Sequence, residues 1–264
     1  MDLDISGKAA LVTASSRGLG RAVAEALVQE GVNVMLCARG VVTLEQTVAA
    51  VRSLAAEGVK VESEVADVTK PEDIERLTQA CVKKLGGLDI LVTNVGGPPP
   101  GKFFELEEEH WRQGIEMLLM SVIRLFHAAA PHMKKQKWGR IIHLTSMVTK
   151  QPIDGLVLSN ALRNGVAGIA KSLALELAPN NITVNCVGAG WTRTDRVEEI
   201  MQAQAKREGI TLQEAMERMV SSIPLGRMGR PDELGSLVVF LASRRASYIT
   251  GSTILVDGGA YGGY

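Results

Sequence analysis

The sequence predicts an α/β protein: a doubly wound, parallel sheet of seven strands with helices on both faces. Three observations carry that prediction. Short runs rich in Val, Ile and Leu recur along the chain, and each is followed by a longer segment with apolar residues three and four apart. The first pattern is a strand buried on both faces, the second an amphipathic helix. The two alternate from end to end, as crossover helices between parallel strands require. Finally, 264 residues suit one such domain, and no linker, repeat or low-complexity stretch divides the chain.

Residues 9–13 (AALVT) form the first predicted strand and run into a Gly- and Ser-rich turn at 15–20. The helix after it carries Leu19, Val23 and Leu27 on one face. Residues 33–37 are the second strand. Thr43-Leu44-Glu45-Gln46 has the form of a capping box opening a helix striped by Leu44, Val48, Val51 and Ala55. Residues 59–65 are strand three, and Thr69-Lys70-Pro71-Glu72 reads as a second capping box before the stripe Ile74, Leu77, Cys81 and Leu85. Residues 89–93 are strand four. The next helix has acid at its positive end, Glu107–Glu109, and apolar residues at 111, 115, 118, 122, 125 and 129. Residues 140–145 are strand five. A long helix over 159–178, stopped by Pro179, separates it from strand six at 183–187. Residues 195–223, rich in Met, Glu and Gln, read as one or two amphipathic helices outside the sheet. A helix from Pro231 to about Ala242 precedes strand seven at 253–256. Residues 1–264 are thus one domain, with 195–223 as a helical lid over the substrate.

Composition narrows the function. Twenty-nine basic and 29 acidic residues balance, and aromatics make up only 4%. Neither a basic footprint for nucleic acid or an anionic membrane nor a set of base-stacking platforms is present. Cys37, Cys81 and Cys186 are dispersed and odd in number, and the four histidines lack metal-ligand spacing. Neither a disulfide framework nor a metal site is expected. The opening residues, Met1-Asp2-Leu3-Asp4, are acidic and no apolar core follows them. No uncharged run reaches the roughly 18 residues of a membrane span. A cytoplasmic protein that takes a small-molecule substrate is expected.

In such a sheet, ligands bind at the carboxyl ends of the strands. The first turn reads Thr13-Ala14-Ser15-Ser16-Arg17-Gly18-Leu19-Gly20. Small residues between a strand and a helix bring backbone N–H groups and a helix dipole to a phosphate. Taken alone, the turn is equally well a tight connection with no ligand. It resembles, however, the TGxxxGxG motif of the short-chain dehydrogenase/reductase family, and further segments resemble that family in order. Asp67-Val68 matches its adenine contact, Thr93-Asn94-Val95-Gly96 its NNAG motif, and Gly139-Arg140-Ile141-Ile142 its approach to Ser146. The run from Val187 through Gly190, Thr192 and Thr194 to Asp195 resembles its nicotinamide segment. Pro224-Leu225-Gly226-Arg227 and Val256-Asp257-Gly258-Gly259 match its C-terminal segments. Among family members, 3-oxoacyl-(acyl-carrier-protein) reductases are the most similar.

The resemblance implies a Rossmann-type fold, a nicotinamide cofactor, reduction of a carbonyl or oxidation of an alcohol, and a homo-oligomer, tetramer or dimer. It places Thr13, Ser15, Ser16, Arg17, Gly18, Leu19, Gly20, Arg39, Asp67, Val68, Asn94, Gly96, Arg163, Gly190, Thr192 and Thr194 at the cofactor. Two departures touch the cofactor end. Ala14 stands for the first glycine of the turn, where a methyl is harmless if φ is negative, and Ala189 stands for the usual proline. NADP is favoured over NAD. The position after strand two that needs a carboxylate for a ribose 2′-OH holds Ala38 and is followed by Arg39, and Arg17 lies in the turn. Two guanidinium groups suit a 2′-phosphate.

The catalytic set departs further. The family uses a serine, a tyrosine, a lysine four residues on and an asparagine on the preceding helix. The serine is Ser146, but the tyrosine position is Ser159, the lysine position Arg163 and the asparagine position Leu118. The chain therefore resembles an atypical subgroup that lacks Tyr-x-x-x-Lys. A serine hydroxyl is a far weaker acid than a phenol of pKa about 10. Arg163 keeps a charge at the ribose but does not relay protons. Lys150 is the candidate replacement donor, with Lys102 a weaker one and Asp154 nearby; His143 reads as a core histidine. Met201, Met216 and Met219 are read either as helix core or as lid. The expected activity is an NADP-dependent oxidoreductase with an altered proton donor. The alternatives are a nucleotide-binding sensor or assembly partner without hydride transfer, and a lyase or isomerase on the same scaffold.

Overall fold

The computed structural model describes residues 2–263, in which seven parallel strands form one sheet in the order β3-β2-β1-β4-β5-β6-β7. The strands are β1 (Ala9–Val12), β2 (Asn33–Ala38), β3 (Val61–Val65), β4 (Ile90–Thr93), β5 (Gly139–Ser146), β6 (Ile182–Ala189) and β7 (Thr253–Val256). Each lies within two residues of the sequence expectation. The helices are α1 (Gly18–Gln29), α2 (Val41–Ser53), α3 (Pro71–Leu85), α4 (Glu108–Ile115), α5 (Ser121–Gln136), α6 (Val157–Leu177), α7 (Asp195–Glu208), α8 (Leu212–Ser221) and α9 (Pro231–Ala242).

Successive strand residues face opposite sides, so each strand feeds two cores. Ile142 and Leu144 of β5 belong to one core with Leu27 of α1, Val48 of α2 and Val238 of α9. Ile141 belongs to the core on the other face, with Leu77 of α3, Leu125 of α5 and Val166 of α6. Burying a side chain of this kind contributes about 1.5–3 kcal/mol, enough to offset the ~1–2 kcal/mol of backbone entropy its residue loses.

Helix ends follow local chemistry, though not always where the sequence placed it. Helix α3 has Pro71 in its first turn with Glu72 and Asp73, Lys83 and Lys84 in its last, and Gly86 at φ 89° ending it. The two expected capping boxes do not form. Thr43 lies inside α2, which starts after Gly40, and the Thr69 hydroxyl donates to Asp67 Oδ1 while Lys70 occupies the N-cap. A reciprocal box does form at α8: Glu214 N donates to Thr211 Oγ1, and Thr211 N to Glu214 Oε2.

Helices α4 and α5 are joined by one π-helical turn, Glu116–Met120, into a continuous helix over Glu108–Gln136. The extra residue shifts the phase of the apolar stripe. Leu118, Val122, Leu125 and Ala129 are buried, whereas Ile115, expected on the same stripe, is 38% exposed. This helix is long and apolar enough to cross a membrane, but its apolar face packs against the sheet. Helix α6 buries Leu162, Val166 and Leu177 as expected; Ala170 and Ala174 take the remaining inner positions, and Ile169 and Leu173 are only half-buried. Its small-residue face, Ala161, Gly165, Gly168 and Ser172, is exposed. Helices α7 and α8 share a small core of their own, in which Met201 and Met219 are buried and Met216 is half-buried.

Candidate active site

A cavity of about 850 Å³ opens at the carboxyl ends of β1, β2, β4, β5 and β6. It straddles β1 and β4, where the strand order reverses and the loops of neighbouring strands part.

At one end, the β1–α1 turn forms a cradle. No side chain caps α1, so the N–H groups of its first turn are free of side-chain partners. Ser16, Arg17, Gly18 and Leu19 line the cavity. A Cβ on Gly20 would come within 2.5 Å of Ala14 O, so only glycine lets α1 start this close to the turn. The structure gives the other three predicted contacts of this region supporting positions. Thr13 Oγ1 donates to Asn94 O at 2.7 Å, Ser15 Oγ bridges Val12 O and Cys37 N, and Gly20 packs beneath the turn; none of the three lines the cavity. Ala14 adopts φ +46°, the left-handed region that its methyl disfavours, and Asn94 Nδ2 donates to its carbonyl at 3.2 Å. Ala189 is an ordinary β6 residue, 8% exposed.

Arg39, Gly40 and Thr43 line the corner after β2, and Asp67, Val68 and Thr69 the corner after β3. One Asp67 oxygen accepts from both Thr69 N and Thr69 Oγ1. Arg17 does not project alone: its guanidinium pairs with Asp195 of α7 at 3.0 Å, and both side chains are about 70% exposed. Gly96, Gly190, Thr192 and Thr194 also line the cavity.

The opposite end holds Ser146, Ser159 and Arg163. Ser146 ends β5, and its Oγ accepts from Val148 N at 3.4 Å, leaving its own proton to give. Ser159 and Arg163 lie one turn apart on the inner face of α6, as their spacing requires. Among the described residues, Ser159 Oγ has no hydrogen-bond partner, and Arg163 has one long bond, 3.4 Å, to Leu144 O. Burial, and then the positive charge of Arg196, push the Arg163 pKa down to about 10. Among the described residues, no tyrosine, lysine or histidine lines the cavity. Lys150 is exposed beyond the turn that follows Ser146, and Lys102 pairs with Asp154 at 3.5 Å outside the cavity. Loop direction is not encoded in sequence spacing, which is why both were open candidates. His143 is buried, with Nδ1 against Thr93 Oγ1 at 2.9 Å. Leu118 is a core residue behind the wall.

Arg196, not singled out from the sequence, is a prominent lining residue. It donates to Pro98 O and to Glu199, and it packs over Gly97. A cation in the first turn of α7 opposes the helix dipole, and that misfit was the available signal.

The family model for "Enoyl-(Acyl carrier protein) reductase" matches residues 13–261. The chain belongs to the short-chain dehydrogenase/reductase family. It is 35% identical to Dehydrogenase/reductase SDR family member 4 of Oryctolagus cuniculus over 257 residues, 97% of this chain and 94% of that protein. It is 36% identical to the 3-oxoacyl-(acyl-carrier-protein) reductase of Vibrio cholerae, with 98% and 99% covered. Among solved structures, L-sorbose reductase from Gluconobacter frateurii, complexed with NADPH and L-sorbose, superposes with a TM-score of 0.92 at 32% identity over both whole chains. A variant of the actinorhodin polyketide ketoreductase with NADPH superposes equally well, at 33% identity over 97% of this chain and 98% of its own.

Proposed function

We propose that this short-chain dehydrogenase/reductase is an NADP-dependent oxidoreductase acting on a carbonyl or alcohol, with water in place of a side-chain proton donor. The observation that carries the reading is the cavity itself: an uncapped helix N-terminus and two arginines at one end, and serine hydroxyls and a half-buried guanidinium lining the other. NADPH, when bound, supplies the hydride. The amides at the start of α1 hold the pyrophosphate, Asp67 and Val68 border the adenine, and Arg39 and Arg17 hold the 2′-phosphate. Arg163 donates to the nicotinamide ribose, and Ser146 donates to the carbonyl oxygen. Ser159 is too short to reach that oxygen. Helices α7 and α8 act as a lid, and the exposed small-residue face of α6 docks on a second copy.

Losing a positioned general acid costs about 10²–10⁴-fold in rate, which makes this a slow reductase rather than an inert one. A protein that binds the nucleotide without chemistry is the second reading, favoured by the lack of any tyrosine or lysine among the described residues that line the cavity. Titration with NADPH and NADH, followed by NADPH consumption against ketones, quinones and 3-oxoacyl thioesters, separates the two. Tighter binding of NADPH and consumption with some carbonyl support the first. Binding with no consumption across the panel leaves the second.

A further inference from the structure

Arg163 is a cation without a counter-ion. Arg17 and Arg196, which line the same cavity, each pair with a carboxylate. Among the described residues no carboxylate lies within salt-bridge distance of Arg163, and its one hydrogen bond is the 3.4 Å contact to Leu144 O. Four of its five N–H donors are unused. The side chain is partly buried and its remaining donors open onto the cavity, so whatever fills the cavity must pair them. A buried charge is ordinarily paired, because leaving it alone costs several kcal/mol. The polar atoms around it are equally unsatisfied. Ser159 Oγ lies on the same wall, 7% exposed, with no partner, and Thr145 Oγ1 on the adjoining strand is buried with none. Ser146 adds a third free hydroxyl proton at the cavity surface.

A neutral ligand does not balance this wall. Ribose hydroxyls occupy some of the guanidinium donors but bring no negative charge. Once hydride has left, the nicotinamide ring is itself cationic, so turnover adds a second positive charge beside the first. The cofactor phosphates belong with the α1 amides at the other end of the cavity.

We infer that the substrate supplies the missing anion: it is a 2-oxo acid, whose carboxylate is held by Arg163 and Ser159 while Ser146 holds its carbonyl oxygen. The inference rests on the NADPH-dependent reading proposed above. Hydride adds to the carbonyl carbon as the C=O π bond breaks, and a solvent proton completes the alcohol. The products are a 2-hydroxy acid and NADP⁺, a balanced two-electron reduction.

The test uses the full-length protein and matched pairs: pyruvate, 2-oxobutanoate and phenylglyoxylate, each against its methyl ester. Binding of each to the NADP⁺-saturated protein is measured by calorimetry, and NADPH consumption is measured separately. A charge-assisted bond to a buried guanidinium is expected to favour at least one acid over its ester by about 10–10²-fold in both readouts. Arg163→Gln should erase that preference, and Arg163→Lys should retain most of it. Circular dichroism and the urea midpoint of each variant show whether it is still folded, since Arg163 also meets the cofactor ribose. If the esters bind and react as well as the acids, the anion inference is overturned and the NADPH-dependent reading stands. If NADPH binds but no acid binds more tightly than its ester, the inference is likewise overturned. If NADPH itself does not bind, both readings fall.

Discussion

Ala14 holds a conformation that suits glycine, at φ +46°, in the turn under the proposed pyrophosphate. A left-handed L-residue costs about 1–2 kcal/mol, so Ala14→Gly should stabilise the protein by about 1 kcal/mol, less the entropy glycine adds to the unfolded chain. A rise in the urea midpoint checks this; a fall would show that the methyl packs usefully. His143 makes the opposite kind of demand. It is buried, and burial, aided by the Arg163 charge, pushes its pKa down to about 3. An unfolded histidine binds its proton near pH 6.5, so the unfolded state takes up the proton first. Stability is full above about pH 6.5 and falls as pH drops towards 3, by up to about 1.4 kcal/mol per pH unit. Urea unfolding at pH 7 and pH 5 should show the loss, and His143→Val should remove most of it. Lys150 is solvated and away from the cavity, so Lys150→Ala should leave both turnover and NADPH affinity unchanged. A drop in kcat alone would return it to the reaction. Ser159 and Arg163 were placed together by spacing alone, because positions four apart on a helix share a face. The φ of Ala14 and the direction of Lys150 were not legible: both depend on contacts made by distant segments.

Among the elements, α7 is held across the cavity by contacts at both ends. Asp195 pairs with Arg17, Arg196 reaches Pro98 O, and Arg207 approaches Asp154 at 3.9 Å. The exposed pair contributes less than about 1 kcal/mol, so the lid is lightly fastened. A Cβ at Gly97 would collide with Arg196 Nε. Gly97→Ala should therefore displace Arg196 and raise amide exchange in residues 195–221, leaving the strands protected. Unchanged exchange there would show that Arg196 does not fasten the lid. Strands and lid helices were readable because β-branched runs and helical stripes are local patterns. The capping boxes at 43 and 69 were misread because a threonine with an acid or amide three residues on fits many non-starts. Gly40 and Pro71 fixed the true ones.

At the scale of the whole molecule, the exposed row on α6 bears on assembly. Gly168 has nothing within 4 Å of a built Cβ, so Gly168→Arg is accommodated by the monomer but blocks a second helix from close approach. If copies dock there, the mass in solution should fall from dimer or tetramer to monomer without a change in circular dichroism. An unchanged mass would move the interface elsewhere. The strand order has a further consequence, this one during synthesis. The first strand made stands inside the finished sheet, third of seven, and its second neighbour, β4, is encoded only from Ile90. At about 5–20 residues per second, a nascent chain carries one open edge of Ala9–Val12 for on the order of ten seconds before that edge can be covered. That edge is wholly apolar in its side chains and unpaired in its backbone, the combination by which strands join the wrong chain. The α1 helix and β2 can shield one side of it early, and the other stays open until the second half of the sheet begins to emerge.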